Sequence, residues 1–276
     1  MPRIVLLTLL FVAGIGDVSY SETVSTGTQL AAALKSDTQF QTLTLAPNVI
    51  YDAPNPVLVV GKHVRIKGAR SAVIRLELQF LGGSIEIMGV TFQQKVAPPE
   101  DEMAPPWAHQ GAQVVCRGCE IWFDDIAASA MANAKKSFAE AHGGGLHIRA
   151  HLNNVNIQYA NVPAPVVNCW NGSRCSVLTW GVHKATLRAG ATYAVIYASA
   201  ANVSIRDSAA LVGSGSTAAG LLLNHGASGQ VLNASTLMNL THSINVINAS
   251  TGYVAPTVIL VSTGAAITSN GGEIRQ

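Results

Sequence analysis

The stretch SIEIMGVTFQQ, residues 84–94, alternates apolar with polar side chains, halts at a glycine, and then alternates again. Ile85 and Ile87 precede Gly89, and Val90 and Phe92 follow it. Period-two alternation sends every second side chain of a strand to the same face. A glycine between two such runs supplies a bent or left-handed backbone where a β-branched residue would clash. The stretch therefore reads as two short strands joined by a corner.

The same design recurs along the chain. HVRIKGARSAVI, residues 63–74, sets Val64 and Ile66 before Gly68 and Val73 and Ile74 after it. QVVCRGCEI, residues 113–121, places Val114 and Cys116 before Gly118, then Cys119 and Ile121. Looser copies carry Leu146 and Ile148 before Val155 and Ile157, and Val195 and Tyr197 before Val203 and Ile205. AAGLLLNHGASGQVLNAS, residues 218–235, reads as the last turn of the series. Strand, corner, strand, returning about every 20–30 residues, predicts an all-β solenoid. Each coil hides its apolar side chains only by stacking on its neighbours.

Composition agrees with one large buried core. Of 276 residues, 49% are hydrophobic and 12% charged, so disorder is excluded and Ser, Thr, Asn, Gly and Ala must cover much of the surface. The net charge of +2 comes without any basic block, which argues against nucleic acid as a partner. At the N-terminus Arg3 precedes an apolar run from Ile4 to Ala13, with small residues at Gly16, Ser19 and Ser21. That order is expected of a signal peptide over residues 1–21, and the run is about half of the roughly twenty residues a membrane span needs. The run from Val254 to Ile267 is broken by Pro256, Ser262, Thr263 and Gly264, so no membrane span is expected in the mature chain.

Two further features fit export. Asn171, Asn202, Asn233, Asn239 and Asn248 each open an Asn-x-Ser/Thr sequon, which marks them as glycosylation candidates. Cys116, Cys119, Cys169 and Cys175 allow three pairings, and in an oxidising compartment 116 with 119 and 169 with 175 are the simplest choice. Zinc is the alternative reading of the four, although one C-x-x-C beside a C-x5-C is a poor match to a tetrahedral site. No cofactor motif is present: there is no phosphate-binding glycine loop, nucleophile elbow or HExxH.

The segment QTLTLAPNVIYDAPNPVLVVGKHVRIKGARSAVI resembles the opening coils of right-handed parallel β-helix proteins of the pectin-lyase-like superfamily. The residues that carry the likeness are Leu45, Ala46, Pro47 and Tyr51, then Val64, Ile66, Lys67 and Gly68. STGTQLAAALKSD, residues 25–37, is similar to the amphipathic helix that caps those proteins, with Thr26 or Thr28 at its start and Leu30 and Leu34 turned inward. The resemblance covers about residues 24–262. It implies a single solenoid domain over 22–276, interrupted by the proline-rich segment 95–111 and by 126–145, whose Ala-rich start reads as a short helix ended by Gly143–Gly145.

Enzymes of that fold mostly cut acidic polysaccharides, and both hydrolysis and elimination there need carboxylates converging on one face. Between Ala141 and Gly272 the only acid is Asp207. The first half offers Glu120, the pair Asp124 and Asp125, and Arg149, with His142 and His147 between them. The likeness to polygalacturonases is partial. Arg65, Ile66 and Lys67 form an RIK upstream of the acid pair rather than downstream, and GGGLH stands where those enzymes carry G-H-G. The RIK reads as outward Arg65 and Lys67 around inward Ile66, and the acid pair as a strand end before a helix.

Of the tryptophans, Trp107 in the proline-rich segment is the expected sugar contact, while Trp122, in a strand-like run, is expected in the core. The function expected is a secreted, glycosylated, non-catalytic β-helix protein of wall, matrix or cell surface that binds extracellular polysaccharide. The alternative is a divergent polysaccharide lyase or hydrolase centred on Glu120, Asp124, Asp125 and Arg149.

Overall fold

Residues 20–54, 56–95, 112–131, 134 and 136–276 are described by the computed structural model. They form a parallel β-solenoid of about nine turns with three strand-bearing faces. The opening stretch behaves as its pattern dictates. Strand Ser84–Met88 lies on the first face and Thr91–Gln94 on the second, with Gly89 at φ 69° between them. Ile85, Ile87, Val90 and Phe92 are all fully buried.

The first face stacks Phe40–Leu45, His63–Lys67, Ser84–Met88, residues 120–124, residues 145–150, Arg174–Thr179, Asn202–Ile205, Ser228–Val231, Thr251–Val254 and Glu273–Arg275. Every pairing is parallel. Register steps from His63 to Ser84, Glu120 to Gly145 and Asn202 to Ser228 keep the expected period. The step from Ser84 to Glu120 is longer because it contains the proline-rich segment. Residues 96–111, and with them Trp107, lie outside the described residues, as does most of the expected signal peptide. The expected boundary at residue 21 falls within the first strand, Tyr20–Val24, which pairs with Phe40–Leu45.

The helix Gly27–Lys35 covers the first coil. Thr26 is its N-cap and accepts a hydrogen bond from the Gln29 amide at 3.1 Å, while Leu30 and Leu34 are fully buried. At its other end the Lys62 ammonium donates to the Leu34 carbonyl at 3.0 Å, satisfying one of the last-turn acceptors. The core between the faces carries an aromatic cluster. Phe138 meets Phe92, Phe123 and Tyr159 with ring centroids 5.4, 5.1 and 6.0 Å away.

Three expectations are corrected. Among the described residues of 126–145 there is no helical insertion: Ala127–Ala130 pairs in parallel with Thr91–Gln94 and Val155–Tyr159, and Ala139–Ala150 continues the third and first faces. Alanine favours a helix in isolation, but here the small side chains fit a coil whose backbone groups bond to the coils above and below. Consequently Asp124 and Asp125 end a strand at a corner and precede another strand. The series also does not end near residue 235, since coils continue through Ile259–Ser262, Ile267–Asn270 and Glu273–Arg275. Finally, Trp122 is not core. It alternates with buried Ile121 and Phe123 and so faces outward.

Both cysteine pairs form disulfides, Cys116 with Cys119 and Cys169 with Cys175. Each closes the corner between the third and first faces, at Gly118 and at Asn171–Gly172. Four of the five sequon asparagines, Asn171, Asn233, Asn239 and Asn248, have positive φ and are exposed. Asparagine is the non-glycine residue that best tolerates this backbone, so corner geometry accounts for them too.

Candidate functional site

Parallel stacking in constant register turns outward residues into rows. One row on the first face runs Arg65, Glu86, Trp122, His147, Ser176, Ser204, Gln230, Tyr253 and Arg275. Two residues earlier on the same strands lie Ser84, Glu120, Gly145, Arg174, Asn202 and Ser228. Two residues later lie Lys67, Met88, Asp124, Arg149 and Leu178. The RIK is placed as read: Arg65 and Lys67 point outward and Ile66 is fully buried.

These rows create a polar cluster centred on His147. Its Nε2 lies 2.6 Å from Oε1 of Glu120 and its Nδ1 2.8 Å from Oγ of Ser176. Glu120 also accepts from Arg174 Nη2 at 3.2 Å. Gly145 makes this possible, because a Cβ there would lie 2.3 Å from the Glu120 Oε1 atom. The imidazole stacks on Trp122 with centroids 3.9 Å apart, and the Arg149 guanidinium lies 4.2 Å from the Trp122 centroid.

Arg149 grips both carboxylate oxygens of Asp124 through Nε and Nη2, and its Nη2 lies 3.6 Å from Glu86. Glu86 in turn pairs with Arg65. Burial pushes the Asp124 carboxyl above the ordinary carboxylate value, and the Arg149 guanidinium pulls against it. His147 is held below the ordinary histidine value, first by burial and further by Arg174 and Arg149, with Glu120 opposing them.

Of the four residues singled out in the sequence, Glu120, Asp124 and Arg149 meet on the first face. Asp125 leaves it. With φ 53° at the corner, its Oδ1 accepts backbone N–H groups from His151, Leu152 and Asn153 at 2.7, 3.0 and 3.1 Å. That is the geometry of a loop anchor. Trp122, Ser176, Arg174 and Tyr253 were missed by sequence reasoning, although outward alternation from Ile121 and Val177 would have placed Trp122 and Ser176 beside His147.

Beside the cluster runs an open groove of about 590 Å³, lined among others by Trp122, His147, Arg174, Ser176, Gln230 and Tyr253. Its lining carries Arg174 and Arg206 and no acidic side chain. Smaller hollows of about 250 and 270 Å³ extend along the same face, one at His63 and Arg65, the other at Tyr253 and Arg275. The tryptophans do not form one row: Trp170 lies on the third face against Tyr197, 4.9 Å between centroids, and Trp180 lies beside His151 just beyond strand Arg174–Thr179. Among the described residues no group of His, Cys, Asp and Glu is arranged to hold a metal ion, and no helix is long and apolar enough to cross a membrane.

The site defines the class: a parallel β-solenoid with a cation-bearing groove across successive coils. No family model matches the chain, and no curated protein matches it in sequence.

Proposed function

We propose that the protein is exported and binds polysaccharide along its first face, in a cell wall, a matrix or at a cell surface, leaving the glycan backbone uncut. The observation that carries this is the groove itself. It is long, open and cationic, and it offers the exposed Tyr253 as a platform for a sugar ring, beside Trp122 whose ring already stacks on His147 and Arg149, and Ser, Asn and Gln side chains for hydroxyl groups. The carboxylates nearest to it are already engaged, Asp124 by Arg149 and Glu120 by His147 and Arg174. Export is supported by the two disulfides and the N-terminal pattern, and glycosylation by the exposure of all five sequon asparagines. Membership of the pectin-lyase-like superfamily is supported by the solenoid and its capping helix.

A glycan array on the mature protein tests the reading. Acidic or neutral extended glycans should bind, and the double substitution W122A/Y253A should weaken binding at least about tenfold, as expected when stacking platforms are removed. Turnover of pectin, alginate or a related glycan into shorter chains would overturn it.

A further inference from the structure

We propose that Ser176, His147 and Glu120 form a serine-hydrolase relay that removes small O-acyl groups from a glycan lying in the first-face groove. The inference rests on the glycan-binding reading for its substrate class and on the relay's own geometry for its chemistry.

The three side chains come from three successive coils and are joined end to end. Ser176 Oγ lies 2.8 Å from His147 Nδ1, and His147 Nε2 lies 2.6 Å from Glu120 Oε1. A neutral imidazole carries one proton, and an ionised Glu120 can only accept. The proton therefore resides on Nε2, and Nδ1 presents its lone pair to the Ser176 hydroxyl. This is the logic of nucleophile, base and orienting carboxylate, with the two ring nitrogens exchanged relative to the familiar serine triad. The ring is also held in place. Trp122 stacks on it at 3.9 Å and is itself covered by Arg149 at 4.2 Å. Burial keeps the imidazole neutral and so competent to take a proton.

Along strand Arg174–Thr179, Arg174 precedes Ser176 by two residues, is exposed, and lines the same groove. Its guanidinium gives one N–H to Glu120, and its remaining donors are the cationic groups beside Ser176 for a developing oxyanion. The groove is open and has no enclosed apolar pocket for a long acyl chain, so the acyl group must be small, such as acetyl. The alcohol side of the ester, by contrast, has room to run along the row toward Gln230 and Tyr253.

In the first step Ser176 Oγ forms a bond to the ester carbonyl carbon while its proton passes to His147 Nδ1. Collapse of the tetrahedral intermediate breaks the carbon–oxygen bond to the sugar, whose oxygen leaves with that proton. Water then attacks the acyl-serine, gives a proton to His147, and releases the carboxylic acid with return of the proton to Ser176. Glu120 is a positioning residue throughout.

The test is to treat the mature chain with a fluorophosphonate probe and with 4-nitrophenyl acetate. The expected result is a single adduct mapped to Ser176 by peptide mass spectrometry, and ester hydrolysis that falls at least about 100-fold in S176A and H147Q, each shown to be folded by circular dichroism. E120Q should lower the plateau rate and move the midpoint of the pH–rate profile downward, because Glu120 raises the His147 pKa. A merely structural Glu120 would leave that midpoint in place. No adduct on Ser176 in the wild-type protein, or unchanged hydrolysis in S176A, would overturn the relay even where the glycan array shows binding. An adduct on Ser176 in a protein that binds no glycan would instead overturn the carbohydrate substrate class.

Discussion

Arg149 and Asp124 are register partners on adjacent coils, and the guanidinium of one closes on both carboxylate oxygens of the other. The two are unequally buried: the Asp124 side chain is 6% exposed and the Arg149 side chain 25%. Breaking a buried pair is costly chiefly for the charge left behind. Removing the arginine strands the more buried carboxylate, so R149M should cost about 3 kcal/mol, whereas D124N, which leaves the more exposed guanidinium still resting on Trp122, should cost nearer 1 kcal/mol. Urea unfolding of both variants checks this. Equal losses would mean that burial of the carboxylate does not set the cost.

Stability should depend on pH through His147. Its folded-state value lies below the ordinary 6.5, so between the two the unfolded chain binds more protons than the folded one. The contribution is therefore complete above about pH 6.5 and is lost as pH falls through the window beneath it. Asp124 has the opposite sign, in a window that opens at 3.8. Its raised value favours the folded state at pH below 3.8 and loses that contribution as pH rises through the folded-state value. Between pH 5 and 8 the melting temperature of the wild type should rise with pH relative to that of H147Q. A parallel rise in H147Q would assign the dependence to another group.

Ile121, Trp122 and Phe123 are three consecutive large apolar residues with opposite fates. Phe123 is fully buried against Phe92 and Phe138, whereas Trp122 lies in the groove. F123A should cost about 3–5 kcal/mol as a core truncation. W122A should cost about 1–2 kcal/mol, the worth of its stacking on His147 and Arg149. Denaturation midpoints of the two variants decide between them, and a W122A loss as large as that of F123A would return Trp122 to the core.

The same triplet shows where the sequence stops being informative. Clean alternation, as at Ile85 and Ile87, names the inward face without help, and the corner glycines name the coil. An unbroken apolar run such as residues 121–123 hides its phase, so a side chain that lines the groove reads as core. Alanine-rich residues 126–131 mislead for another reason: helix propensity is local, while Ala127 pairs with Thr91 on the coil before and Asn156 on the coil after, partners that no local pattern names. The site was half legible on the same grounds. Glu120, Asp124 and Arg149 are near one another in sequence and stand out together, but with Asp125, which turns away to the His151–Asn153 amides, while His147 is noted only as lying between them. Ser176 and Arg174 belong to the next coil, and their approach to His147 depends on the exact number of residues in the intervening corners. No local pattern records that number.

Two glycines separate a corner's needs from the site's. Gly89 has φ 69°, and a Cβ there would lie 2.6 Å from the Gly68 carbonyl oxygen, a backbone atom that cannot move alone. G89A should therefore destabilise the coil by more than the roughly 1–2 kcal/mol of left-handed strain. At Gly145 the obstacle is the flexible Glu120 carboxylate, 2.3 Å from the added carbon, and the backbone is not left-handed. G145A should leave the unfolding midpoint within about 1 kcal/mol of wild type by letting Glu120 swing aside. The displaced carboxylate can then no longer support the imidazolium, and the His147 titration midpoint, followed by NMR, should fall. Loss of stability in G145A with an unmoved His147 midpoint would show that the carboxylate stays and the coil yields instead.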